Sequence, residues 1–125
     1  MNSYPTDDNA NRVRSVVDNL IGTEEADDIM IELMDTLTST STSSPSAGKY
    51  YVFVYNAKTP NIQFDSNPLV AVTDVFEWGF RGINLHIGQY RNYTYNELVG
   101  QLYEINSDEL SDVRELPFAN ITLNN

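Results

Sequence analysis

Residues 10–21 set Val13, Val16, Val17, Leu20 and Ile21 at i, i+3, i+4, i+7 and i+8, one face of a short amphipathic helix, and Gly22 supplies a stop. Thr23 then caps a second helix. Glu24 and Glu25 occupy its first turn, where acidic side chains suit the helix dipole. Ala26, Ile29, Met30, Leu33, Met34 and Leu37 repeat the apolar stripe. A two-residue connection makes the two helices antiparallel neighbours or a kinked pair. Helices below about 12–15 residues are marginal alone in water, so both stripes must bury against each other, the rest of the chain or a partner.

Residues 1–9 read as a polar, acidic tail. Residues 38–48, TSTSTSSPSAG, read as a flexible linker with nothing apolar to pack. Eleven extended residues reach roughly 35 Å, so the helical segment is expected as an arm able to pack on a neighbouring subunit. The divisions are then 1–37 (tail and arm), 38–48 (linker) and 49–125 (a folded domain).

From Lys49 the period changes from 3.6 to 2. Tyr51, Phe53 and Tyr55 alternate with Tyr50, Val52 and Val54, and both sets are apolar or amphipathic, which predicts a strand covered on both faces. NAKTPN is turn chemistry. Asn67-Pro68 introduces a second strand, LVAVTDVFEW, and Trp78-Gly79 marks a turn or bulge. GFRGINLHI predicts a third strand. Gly82 stands where a bend or close backbone approach is needed, and Gly88 ends the strand. Thr94-Tyr-Asn-Glu97 has the form of a capping box and predicts a helix to about Ile105, with Leu98, Val99, Leu102 and Ile105 on one stripe. Ser107 opens a further helical turn, Pro117 ends it, and FANITLN predicts a last strand. The expected fold class is α+β: an N-terminal helical arm plus a small curved antiparallel sheet, SH3-like or another open β-barrel, with one or two short helices.

The formal charge of −11 narrows the partners. Residues 1–48 hold nine acids against Arg12 and Arg14; residues 49–125 hold nine against Lys49, Lys58, Arg81, Arg91 and Arg114. Phosphate binding draws on cations and counterion release, so nucleic acid is not expected as a partner. The chain has no cysteine, which removes disulfides, thiolate metal sites and a cysteine nucleophile. No apolar run approaches a membrane span, and MNSYPTDDNANRVR lacks the apolar core of a secretory signal. The two N-x-T sequons, at Asn92 and Asn120, then read as chance.

Candidate chemistry is sparse. His86 is the single histidine. By strand alternation it shares a face with Phe80, Gly82 and Asn84, as a hydrogen-bonded structural pair with Asn84 rather than a triad member. The acids Glu24, Glu25, Asp27, Asp28, Glu32 and Asp35 lack a calcium-loop spacing and read as a solvated helix face. The glycines at 79, 82 and 88 do not form a phosphate loop. No enzyme activity, catalytic residue, cofactor, metal or small-molecule substrate is expected.

The stretch WGFRGINLHIGQYRNYTYNEL (78–98) carries the strongest signal. Aromatics interleaved with arginines form either a platform for single-stranded nucleic acid or a protein interface, and the acidic field favours the second. The expected interface residues are Val13, Val16, Leu20, Ile29, Leu33 and Met34 on the helices, with Trp78, Arg81, Tyr90, Arg91 and Tyr93 on the sheet.

Tyr55, Lys58, Thr59, Asp65, Pro68, Leu69, Gly79, Phe80, Gly82, Asn84 and His86 form a pattern across residues 50–92. It resembles one found in proteins of T4-like tailed phages, including cyanophage myoviruses. The resemblance implies a small virion protein of tail, baseplate or neck, assembled in the host cytoplasm. It would bind other virion proteins, copies of itself among them. The alternative is a small acidic phage inhibitor that binds a basic host factor in host takeover.

Overall fold

The computed structural model describes residues 12–21, 25–57, 66–113 and 115–116, the side chains of 26 and 27 excepted. The tail at 1–9, the turn at 58–61 and the strand expected after Pro117 lie outside them. Among the described residues the fold is α+β, with three helices and a six-stranded antiparallel sheet. Helices α1 (Arg12–Asp18) and α2 (Ala26–Thr36) precede strands β1 (Ser41–Thr42), β2 (Tyr50–Tyr55), β3 (Leu69–Val75), β4 (Gly79–Asn84), β5 (Gln89–Thr94) and β6 (Leu98–Ile105), and helix α3 (Leu110–Val113) follows. The strand order is β1-β6-β2-β3-β4-β5.

The alternation in β2 governs the packing. Val52, with Tyr50 and Val54 beside it, meets Val13, Val16, Ile29, Met30, Leu33 and Leu37 of the helical layer, together with Leu69, Ile105, Val113 and Leu116. Tyr51 and Phe53 face the opposite way and join Val70, Val72, Phe80, Tyr93 and Leu102. Both faces of β2 are therefore covered, as its sequence requires.

The helices are not a detached arm. The same stripes that predict α1 and α2 bury against the sheet of their own chain, because neither helix is long enough to stand alone. A buried ion pair fixes this docking. Arg12 Nε and Nη2 donate to the two carboxylate oxygens of Glu109 at 3.0 and 2.8 Å, and Nη1 donates to Thr40 Oγ1 at 2.9 Å. Glu109 also accepts the Asn106 N–H within a capping box.

Residues 38–48 are ordered on the sheet rather than extended. Thr38–Thr40 forms a 3₁₀ turn, Ser41 and Thr42 pair with β6, and Pro45 is buried. Their hydroxyls cap what the helix leaves open: Thr38 Oγ1 donates to the Met34 carbonyl and Ser41 Oγ to that of Thr38, both at 2.9 Å.

The sheet curls. Strands β2, β3 and β4 separate β6 from β5, which in a flat sheet would set them roughly 19 Å apart. Only Tyr95–Glu97, a 3₁₀ turn, joins them, a link that spans at most about 14 Å. Register shifts at Val52/Val54 and Val72/Asp74 supply the bending. Tyr55 of β2 consequently reaches β5, where its hydroxyl accepts the Thr94 N–H at 3.1 Å and donates to Glu97 at 3.1 Å. Phe53, Phe80 and Tyr93 pack inside the curl with centroids 5.4–5.6 Å apart.

Two elements depart from the sequence expectation. Residues 98–105 form strand β6 instead of a helix, while Thr94 and Glu97 still meet, as a side-chain bond of 2.6 Å. The third strand stops at Asn84, and a turn over 85–88 leads into β5.

Candidate interaction surface

Among the described residues strand β5 is one of the two outermost strands, and Gln89, Tyr90, Arg91 and Asn92 are all exposed. The hydrogen-bond phase of the β4–β5 ladder fixes which backbone groups point outward. The Tyr95 N–H donates to the Trp78 carbonyl, so the pairs with β4 step by two through Tyr93, Arg91 and Gln89. Tyr90, Asn92 and Thr94 then turn their N–H and C=O groups away from β4. The Thr94 N–H is taken by the Tyr55 hydroxyl. Those of Tyr90 and Asn92 face outward along the edge.

Beside this edge lies an open hollow of about 400 Å³, lined by Thr73, Asp74, Arg81, Tyr90, Arg91 and Asn92. All six are exposed. Arg81 and Asn92 are register partners, and Arg81 Nε donates to Asn92 Oδ1 at 3.4 Å. Thr73 Oγ1 donates to Asp74 Oδ2 at 2.9 Å.

At the β3–β4 tip, Phe76 and Trp78 stack at 4.9 Å with planes 6° apart, and both remain exposed. Val75, Phe76 and Trp78 are three of the seven exposed large apolar side chains among the described residues, so exposed apolar surface concentrates at this tip, and a fourth, Tyr90, stands further along β5 opposite Ile83.

Charge sharpens the picture. Among the described residues, Arg12, Arg14 and Lys49 each hold a carboxylate. Arg14 is pushed to a higher pKa, first by its hydrogen bond to Glu115 and then by the charges of Asp112, Glu115 and Asp18, against the opposing effect of burial. Arg81 and Arg91, by contrast, form no ion pair among the described residues.

Of the residues expected to form an interface, Trp78, Arg81, Tyr90 and Arg91 lie on this surface. Val13, Val16, Ile29 and Leu33 are buried under the helical layer, with Leu20 and Met34 packed against them. Tyr93 is buried in the curl, where Asn84 Nδ2 donates to its hydroxyl at 3.3 Å. Phe76 and Asn92, which sequence reasoning did not single out, complete the surface. Phe76 was legible as an aromatic two residues before Trp78; Asn92 needed the strand register.

Other candidates stand apart. His86 is buried, and its backbone N–H donates to Asn84 Oδ1 at 3.0 Å, a structural link between the pair. Glu25, Asp28, Glu32 and Asp35 are exposed. No group of three or more metal-ligating side chains gathers among the described residues. No helix among them is long and apolar enough to cross a membrane. Comparison of the chain with protein-family models, curated proteins and solved structures returns no match.

Proposed function

We propose that this protein is a non-catalytic assembly protein of a tailed-phage virion, part of a tail, baseplate or neck, that joins neighbouring virion proteins through its β5 edge. The observation that carries the binding role is the exposed group of Phe76, Trp78, Tyr90, Arg81 and Arg91 around an outermost strand. Trp, Tyr and Arg dominate the energetics of protein interfaces. Strand edges left open are sites of pairing with another chain. The virion setting rests on the sequence resemblance across residues 50–92.

The finer fold reading, an SH3-like or other open β-barrel, draws on the curl. A 3₁₀ turn carries the chain from β5 back to β6, which pairs with β2, and an aromatic core fills the space between.

A second reading, an acidic inhibitor of a basic host factor, draws on the exposed Asp28, Glu32 and Asp35 of α2. Binding through that face would be strongly salt-dependent. The deciding experiment is mass spectrometry of salt-washed particles of the phage that encodes this chain. A stoichiometric, salt-resistant component supports the assembly role. Absence from particles, together with abundance in infected cells, overturns it in favour of the inhibitor.

A further inference from the structure

The two ends of the sheet are treated differently. The edge at β1 is two residues long, too short to template another strand. The edge at β5 is six residues long and holds no proline or lysine to blunt it. Its outward N–H and C=O groups belong to Tyr90 and Asn92, spaced as one repeat of an antiparallel ladder. The curl covers only its far end, where Tyr55 takes the Thr94 N–H.

We infer that β5 receives an extended, acidic segment of a partner protein, added as a further strand beside Tyr90 and Asn92 with its carboxylates held by Arg81 and Arg91. The inference rests on the reading of this edge as a docking surface and names what docks there.

Three observations select this occupant. The geometry is that of strand addition: main-chain bonds supply affinity and flanking side chains supply choice. The choice is electrostatic. In a chain of formal charge −11, Arg81 and Arg91 hold no carboxylate among the described residues, yet both line one hollow at the edge. The hollow's own acid, Asp74, is bonded by Thr73 and forms no ion pair among the described residues, so both guanidinium groups retain donors for a partner carboxylate. The stacked Phe76 and Trp78 then flank the Tyr95 end of the strand and offer an apolar stop to the docked segment. A second copy is the poorer occupant. Two β5 edges paired antiparallel through Tyr90 and Asn92 would set the two Arg91 side chains opposite each other, and like charges facing across strands are destabilising.

The test uses the full chain, isotope-labelled, and synthetic probes: a capped peptide of about ten residues, a typical strand length, alternating Val or Thr with Asp and Glu, and its counterpart with Lys in place of the acids. Trp78 is the single tryptophan, so its fluorescence reports from the surface itself. The acidic peptide is expected to shift the amide signals of Tyr90 and Asn92, to slow their hydrogen exchange and to change the Trp78 emission. Its affinity should fall as salt rises. The double variant Arg81→Glu/Arg91→Glu, both positions being exposed, should unfold at an unchanged temperature and bind about tenfold more weakly. Equal binding of the lysine peptide, or no change at Tyr90 and Asn92, overturns the proposal. Self-association of the unliganded chain that protects the same two amides also overturns it, since the occupant would then be a second copy. A chain found in virions that ignores the acidic probe fails here alone; one that binds the probe but is absent from virions fails only in its setting.

Discussion

Arg12 and Glu109 stand 97 positions apart in the chain and meet as a two-point ion pair with side chains 7% and 0% exposed. Removing one partner would leave a buried charge uncompensated, at a cost of about 3–5 kcal/mol. Arg12→Ala and Glu109→Ala should each show that loss in urea unfolding. Arg12→Met combined with Glu109→Leu should recover most of it, because an apolar pair of similar volume avoids the desolvation cost. A double variant as unstable as the sum of the singles would refute this account.

Gly82 faces a wall. A Cβ there would lie 2.5 Å from the Ala71 carbonyl oxygen and 2.5 Å from Val70 Cγ1. The first contact is backbone and cannot swing away, so Gly82→Ala should cost about 1–3 kcal/mol. Gly79→Ala, whose methyl would overlap the Tyr93 carbonyl, should be at least as severe. Thermal melts of both beside an exposed control, Ser43→Ala, make the comparison; melting near the control's temperature would show that the strands separate more easily than their register implies.

Tyr55→Phe keeps the ring against Tyr93 but takes the acceptor from the Thr94 N–H and the donor from Glu97. A loss of about 1–3 kcal/mol is expected, with hydrogen exchange at Thr94 accelerating more than at Val52 in the middle of β2. Uniform acceleration at both positions would mean that this hydroxyl does not hold the curl.

Phe76→Ala, Trp78→Ala and Tyr90→Ala should leave stability within about 0.5 kcal/mol, since each side chain is exposed. Under the assembly reading each should weaken partner binding by about tenfold or more. Destabilisation comparable to a core truncation would instead assign these rings to the fold.

The periodic elements were legible. Strand β2 sends alternate residues into two cores, and helices α1 and α2 bury residues at spacings of three and four. Strand β6 was not, because Gly100 with φ of +82° lies where the ladder gains extra residues between Val99 and Tyr103. Leu98 and Leu102 face one core and Ile105 faces the other, and their spacing of four and then three imitates a helical stripe. Strand β5 shows no alternation because four successive residues are exposed at an edge. The TSTSTSSPSAG segment looked flexible by composition, yet its hydroxyls satisfy helix-end carbonyls. At the surface, the Trp, Tyr and Arg content was readable, but facing was not: Tyr93 turns inward and Arg91 stays exposed through register alone. The Arg12–Glu109 pair left no local trace beyond the Asn106–Glu109 capping box.

The pairing of β2 with β6 also dictates an order of events during synthesis. Tyr50 must wait for Ile105, and Arg12 for Glu109, before either acquires its native neighbour. The helices leave the ribosome before the strand and counter-ion that anchor them, so closure of the core is deferred until Ile105 and Glu109 have been made. Proteins dominated by such distant contacts fold slowly. A nascent chain stalled before Leu98 is therefore expected to remain open to proteases and chaperones, because the core under its helices still lacks Ile105, Val113 and Leu116.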